Sequence, residues 1–579
     1  MCVRYLACVT LFAAFLTASP LVSQTSSPVE GVCNVRQFGA KGDGATLDTP
    51  AISKAILSCA EAGGGIVLFP PGIYVSGTFE LLTNITLQLE AGAIIEGSPN
   101  IADYRKLSDY GMGRIFGVNS SGEGLLVGMI VARDAHDVAI VGRGTIDGRG
   151  DDFMNLDTAH VGADFDSKFT RNPAAFEAGV RSLEYGPVLP KDQGAGRPGT
   201  MIIFNHCKNV LVRDVTLRGA PNWTLHLQNT QQATLTGLHI DNDLRIPNND
   251  GIDCLHCRDV HISDSDIHAG DDDLAIFGSE HINVTNSSLV SRSAAIRLES
   301  TRLSTFDNLS IESNRGIGIF HSANSGDSTE GVRFSSISMK TKLIYGHWWG
   351  KAEPIYIAVS PCQPSECHGG VHDVTFSNIT AEAESGILMY GAEQNLISGV
   401  TLENIRLKVV APEPEVGQAM GGNFDLRWTA RNFQEAIFKH DIPALYCRWV
   451  EKLRVRDFEL QWGEHLPNYF SNGIECEQFH NVTIDRFEGR QASNSGAALS
   501  FSGGSGLSIT GSTASPGTSV FLKLANVTDL GAFVNYDLTA AKQAIVPPTA
   551  AFKVSNATSA SHPHGKVVRE SVTGHSHQP

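Results

Sequence analysis

The stretch from Asn248 to Glu299 concentrates the acid chemistry of this chain. Asp250 is followed by Gly251-Ile252-Asp253, and one repeat later come Gly270-Asp271-Asp272-Asp273. The apolar pairs Val260/Ile262, Ile282/Val284 and Ile296/Leu298 alternate with turns rich in Asn, Asp, Gly and Ser. Short apolar runs at such an interval read as strands stacked coil upon coil. Matching residues of neighbouring coils then lie about 5 Å apart. Carboxyls stacked that closely raise at least one pKa, so one can give a proton while another stays ionised. Glycoside hydrolysis with inversion needs that division: one acid protonates the leaving oxygen and one base activates water.

Counting four residues back from Leu227, Cys254, Ile276, Ile296, Ile319 and Ile357 gives Trp223, Asp250, Asp272, Arg292, Arg315 and Glu353. The expectation is one ladder of these six down a single face, with Asp271 beside it. A lone Asp on such a turn is usually a solvated decoration. Three converging beside arginines and an aromatic read as a site. A second unusual stretch, Tyr345 to Pro354, places Trp348 and Trp349 between His347 and Lys351. Aromatic faces stack on sugar rings, and the flanking polar groups can read hydroxyls or a carboxylate. His321, just after Ile319-Phe320, is a further substrate-binding candidate.

These residues need a scaffold, and the repeat supplies it. Val212, Leu235, Ile262, Val284, Ile311 and Phe334 open similar segments 23, 27, 22, 27 and 23 residues apart. In 579 residues there are 58 glycines, 18% charged residues and 8% aromatics, a profile of many short strands and turns. Asp48-Thr49-Pro50 predicts a helix start with a capping side chain. Ile52, Ala55, Ile56 and Cys59 then share a face, and Gly63-Gly64-Gly65 ends the helix. Laid over the first coil, this helix closes an open sheet edge. The expected organisation is a leader over 1–24, the amino-terminal cap and first coils over 25–100, the β-helix over 101–546 and a disordered tail over 547–579.

Residues 1–24 carry Arg4 and an apolar run from Tyr5 to Ala18, short for a membrane span and suited to a secretory leader. Export to the extracellular or periplasmic side follows as an expectation, with a soluble, monomeric mature chain. The net charge of −17 disfavours nucleic acid and anionic membranes as partners. Of 11 cysteines, two lie in the leader. The odd remainder implies a free thiol. Cys33 with Cys59, and Cys362 with Cys367, are candidate disulfides. Cys254 and Cys257 read as buried strand residues, not a metal knuckle.

Several of these motifs together resemble glycoside hydrolase family 28, the polygalacturonase-like parallel β-helix enzymes. They are FGAKGDG, GGG-x-V-x-x-P-x-G-x-Y over 63–74, Gly142-Arg143-Gly144-Thr145-Ile146-Asp147-Gly148, Arg197-Pro198, and Ala220-Pro221-Asn222-Trp223. Asn248-Asn249-Asp250 and Gly270-Asp271-Asp272 match the family's two acidic motifs. The resemblance implies an all-β right-handed parallel β-helix and a polysaccharide or oligosaccharide substrate, with no cofactor or metal. It also implies Asp271 as general acid, and Asp250 and Asp272 as the pair that holds and deprotonates water. Two departures stand out. The family's Gly-His-Gly falls on Ser291-Arg292-Ser293, and its Arg-Ile-Lys on Gly318-Ile319-Phe320. Arg292, Arg297 and Arg315 either replace the lost substrate-binding cations or neutralise the Asp stack.

The resulting expectation is a secreted inverting glycosidase acting on pectin-type or other acidic cell-wall glycan. Segments 151–196 and 410–440 read as insertions that would close the ends of the cleft and favour attack from chain ends. Two other readings stay open. One is a β-helix lyase, with an arginine base and Ca²⁺ on the Asp cluster. The other is a non-catalytic carbohydrate-binding β-helix.

Overall fold

The computed structural model describes residues 31–110, 126–159, 170–175, 188–191, 196–322, 325–346, 349–363, 367–427, 429, 437–493 and 496–547. The leader, nearly all of the tail, His347, Trp348 and parts of both insertions lie outside the described residues.

Alternation of side chains drives the winding. In Ile252–Leu255, Ile252 and Cys254 turn inward to the core while Asp253 between them faces out. The same pattern recurs in Leu225–Gln228, Leu274–Phe277, Ala294–Glu299, Arg315–His321 and Ile355–Val359, which stack in parallel register. A second ladder joins Lys208–Arg213, Gln231–Thr236 and Arg258–Ser263 to the first part of Glu280–Ser291. A third joins Thr216–Arg218, His239–Asp241 and Asp266–Ala269 to its second part. Three strands per coil close around one continuous apolar core. The result is a right-handed parallel β-helix. The ladder passes residue 100 without a break, Ile94-Ile95 pairing with Thr145-Ile146.

The register corrects two readings. Val284 pairs with Phe306 and Phe306 with Phe334, so Phe306, not Ile311, opens that repeat. Phe306 stacks on Phe334 at 4.8 Å and Phe334 on Phe376 at 4.9 Å, a column inside the helix. Leu274 pairs with Ile296, so the coil at 291–296 is displaced by two residues from the expected alignment. The ladder therefore runs Trp223, Asp250, Asp272, Ala294, Arg315, Glu353, and Arg292 falls outside it. A two-residue slip leaves the in–out alternation intact, so hydrophobic pattern cannot detect it.

The cap is a helix, Thr49–Glu61, that buries Ala51, Ile52, Ala55, Ile56 and Cys59 against the first coil. Asp48 does not cap it through its side chain. Its carboxylate instead accepts the amides of Lys41 at 2.7 Å and Gly42 at 2.9 Å, fixing the preceding loop. The Cys33–Cys59 disulfide ties the helix to the first strand, and Cys362–Cys367 closes a small loop. Cys254 and Cys257 are free thiols, both buried.

Along one turn, exposed Asn286, Asn308, Asn378 and Asn404 all take left-handed backbone, with φ of 52, 54, 55 and 53°. Asn tolerates this conformation better than most residues. Their side-chain amides bond up the stack, Asn308 to Asn286 at 2.9 Å and Asn404 to Asn378 at 2.7 Å.

Candidate active site

The two acidic motifs lie on adjacent coils and are stitched together by asparagines. Asn249 accepts the Gly270 amide at 2.6 Å and donates to the Asp243 carbonyl at 2.8 Å. Asn248 donates its backbone amide and its side chain to Asp271 Oδ2 at 3.3 and 3.2 Å. One oxygen each of Asp250, Asp271 and Asp272 lies within 4.8 Å of the others. All three are nearly closed to solvent, 5%, 6% and 1% exposed.

Electrostatics separates them. Burial first, and then the neighbouring Asp272 carboxyl, push Asp271 up to about 6, against relief from Arg297. Burial pushes Asp250 well above the ordinary carboxylate range, with Asp253, Asp271 and Asp272 adding to it. The cluster shares protons as a set. Asp272 is the member with an arginine directly on it. Its Oδ1 accepts the Ala294 amide at 3.2 Å, and its Oδ2 lies 3.3 Å from Arg297 Nη1.

Sequence reasoning missed two groups here. Asp253 faces the same space as the acids, is fully buried, and has no partner on either oxygen among the described residues. Burial holds it well above its usual range. Its place between inward Ile252 and Cys254 would have revealed it. Arg197, quoted above only as part of a motif, lies close enough to Asp250 and Asp271 for their charges to bear on it. Its Nη2 donates to Asn248 Oδ1 at 3.4 Å. The third consecutive acid, Asp273, is fully buried with both oxygens unpartnered, and burial keeps it well above the carboxylate range.

The outward row next to the acids runs His226, Asp253, Ala275, Arg297. Burial drives His226 down to about 3, so it is a neutral ring at the site. Arg297 is held between the faces of Phe277 and Phe320, 5.1 and 5.4 Å from the ring centres, and leans on Asp272.

Beyond this row, several proposed substrate contacts are occupied otherwise. Arg315 and Glu353 are 1% and 0% exposed and pair with each other, Nε to Oε2 at 3.3 Å. The insertion supplies the cover: Asp425 lies 3.8 Å from Arg315, and Arg427 closes on Asp425 at 2.7 Å. Tyr356 donates to the Asp425 carbonyl at 2.8 Å. Trp349 is met by the Arg427 guanidinium at 4.3 Å, and Lys351 is buried with its amide on Glu353. Trp223 packs into an apolar cluster with Leu107, Tyr110, Val131 and Ile203, which makes it a wall. His321 is buried at the far end of its strand, its Nε2 2.8 Å from the His368 carbonyl. Arg292 lies on the Asp243 side, where its charge lowers that carboxyl, after burial and the stronger Arg245 contacts. Trp348 lies outside the described residues.

The walls stand on both sides. On one, the turn Leu107–Tyr110 covers Val131 and Ile203. On the other, the helix Pro414–Met420 packs on Leu343, Tyr345 and Ala352, and Asp425 of the ribbon Phe424–Asp425/Ile437–Phe438 covers Arg315 and Tyr356. The two insertions meet there, Thr170 donating to the Ala419 carbonyl and Arg171 lying 3.2 Å from Asp441. The outward row left between the walls spans four rungs, roughly 14 Å.

The model of glycosyl hydrolases family 28 matches residues 190–418, the segment that carries both acidic motifs. That segment is similar to glycosyl hydrolases family 28. A second model, rhamnogalacturonase A/epimerase, pectate lyase-like, matches residues 32–112. Among similar proteins, an exo-poly-α-D-galacturonosidase of Dickeya chrysanthemi is 27% identical over 44% of this chain and 43% of its own length. An endo-polygalacturonase of Pectobacterium carotovorum subsp. carotovorum is 25% identical over 68% of this chain and 90% of its length. The match spans 43% of the length of each of the first two curated relatives, the second a probable polygalacturonase of Vitis vinifera. The family 28 exopolygalacturonase of Yersinia enterocolitica superposes with a TM-score of 0.54 at 17% identity, covering 78% of both chains, a likeness of fold.

Proposed function

We propose that this chain is an exported family 28 glycosidase that hydrolyses O-glycosidic bonds of a pectin-type polygalacturonan from chain ends. The observation that carries the reaction is the buried trio Asp250, Asp271 and Asp272, with oxygens within 4.8 Å and Asp271 held at about 6. Asp271 protonates the leaving glycosidic oxygen as the bond to the anomeric carbon breaks. Asp250 and Asp272 hold a water, Asp272 takes its proton as the oxygen attacks that carbon from the opposite face, and solvent then resets both acids. The substrate class rests on the polygalacturonase relatives. End-wise attack rests on the two walls, which leave room for a short stretch of sugar but not a through-running chain. Export is supported by the two disulfides, which persist in oxidising compartments. No described helix is long and apolar enough to cross a membrane.

One observation favours a different course. The carboxyl separation is below the roughly 6.5–9.5 Å usual for inverting pairs and closer to that of retaining ones. Proton NMR of the first-formed reducing end decides: a product anomer opposite to the substrate linkage supports inversion, and the same anomer overturns it. The activity itself is tested on polygalacturonate by following saturated reducing ends, ultraviolet-absorbing ends and polymer length together. Monomer or dimer release with slow loss of length is expected. Unsaturated ends would make this a lyase, and rapid loss of length would remove the end-wise assignment.

A further inference from the structure

Arg197 is buried to 8% exposure beside the acids, yet its Nε and Nη1 have no acceptor among the described residues. Only Nη2 is engaged, on Asn248. Asp250 Oδ1, whose charge bears on Arg197, and both oxygens of its neighbour Asp253 have no donor among the described residues. Burying ions and polar atoms without partners is strongly unfavourable, so a fold that keeps several around one space keeps them for an occupant. That occupant must offer acceptors to a guanidinium and hydroxyl donors to carboxyls. A sugar acid offers both.

Three other arginines near the site lie on carboxylates, and Arg292 stands on the Asp243 side. Arg297 lies on Asp272, Arg315 on Glu353, and Arg427 on Asp425. Gly318 and Phe320 carry no charge where the family pattern places its two cations. A uronate ring would bring a further negative charge to a space already holding four carboxyls. It therefore needs a cation that is not already on one of them.

We propose that Arg197 is the carboxylate-binding residue of the pocket, taking the carboxylate of a uronate ring seated against Asp250 and Asp271 and setting the preference for acidic over neutral sugar. Guanidinium is the side chain best shaped for a carboxylate, through parallel hydrogen bonds. The inference rests on the reading of the substrate as a galacturonan. The competing role, in which Arg197 only offsets the charge of the acids, predicts no dependence on the sugar's carboxylate.

The test measures binding of D-galacturonate and of D-galactose by calorimetry, to the wild-type chain and to Arg197→Gln and Arg197→Lys. Hydrolysis of polygalacturonate and of its carboxyl-reduced counterpart is followed in parallel. Wild type should bind galacturonate at least about tenfold more tightly than galactose, as a charge-assisted contact requires. Arg197→Gln should abolish that preference and lose about 100-fold in kcat/KM on polygalacturonate, with a far smaller loss on the reduced polymer. Arg197→Lys should keep part of the preference, and it answers the question even if the Gln variant does not fold. An absent preference in wild type, an intact preference in either variant, or equal losses on the two polymers overturns the proposal. Arg197-dependent galacturonate binding with no cleavage of any galacturonan would keep the residue's role and reject the reaction.

Discussion

Asp271→Asn will leave a folded chain that binds galacturonan with KM close to wild type and turns it over about 10²–10⁴-fold more slowly, the usual worth of a general acid. The amide keeps the shape of the side chain and can still meet Asn248, but it cannot hand a proton to a leaving oxygen. The pH profile carries the same information. An acid at about 6 must be protonated to work, so wild-type kcat/KM should fall about tenfold per pH unit above that value. The limb should vanish in the variant. Steady-state kinetics from pH 4 to 8 on both proteins is the measurement. Unchanged turnover in the variant, or a rate that climbs through pH 6, would take the acid's role from Asp271. Unchanged binding with no turnover even in wild type would leave a carbohydrate-binding β-helix.

Glu353→Gln will have its effect on stability instead. Glu353 is completely buried, and both its oxygens face Arg315, at 3.3 and 3.4 Å. Arg315 also lies 3.8 Å over the Tyr356 ring and 3.8 Å from Asp425, which Arg427 shares. Two cations and two anions balance in this cluster; the substitution leaves a buried charge in excess. Breaking a buried pair from one side costs about 3–5 kcal/mol, a large part of the roughly 5–15 kcal/mol that holds a domain. Urea unfolding should show that loss, while kcat/KM of the folded fraction stays near wild type. A pair exchange such as Arg315→Met with Glu353→Leu should recover much of it. A raised KM with unchanged stability would return Glu353 to the substrate site.

These two residues show how far the sequence could be read. Asp250, Asp271 and Asp272 were legible because the repeat places them on neighbouring coils and the chemistry of stacked acids needs no further partner. The cap helix and both disulfides were legible from local spacing. Arg315 and Glu353 were correctly placed in the ladder, but what covers them comes from about a hundred residues away, and no local pattern announces where an insertion will lie. Arg292 failed for a different reason. Ala294-Ala295-Ile296 resembles Leu274-Ala275-Ile276 but pairs two residues out of that alignment, and strand periodicity is blind to even shifts. Asp253 was legible in the alternation, though it stands outside both acidic motifs. Arg197 needed the fold, since its value lies in which of its hydrogen bonds are missing.

The asparagine ladder on the outer turn has a consequence for how the chain can be made. The turn takes left-handed backbone, at Asn286, Asn308 and Asn378 as at Ser336, and a Ser or Thr stands two residues after each of these asparagines, at 288, 310 and 380. Each is an acceptor tripeptide for N-linked glycosylation. In a eukaryotic secreting host these exposed sites would compete along one edge, since adjacent rungs are only about 5 Å apart and their amides already bond to one another. Intact-mass measurement of such material should show a mixture with fewer glycans than acceptor sites, whereas full occupancy would mean that the sites are modified before the coils stack.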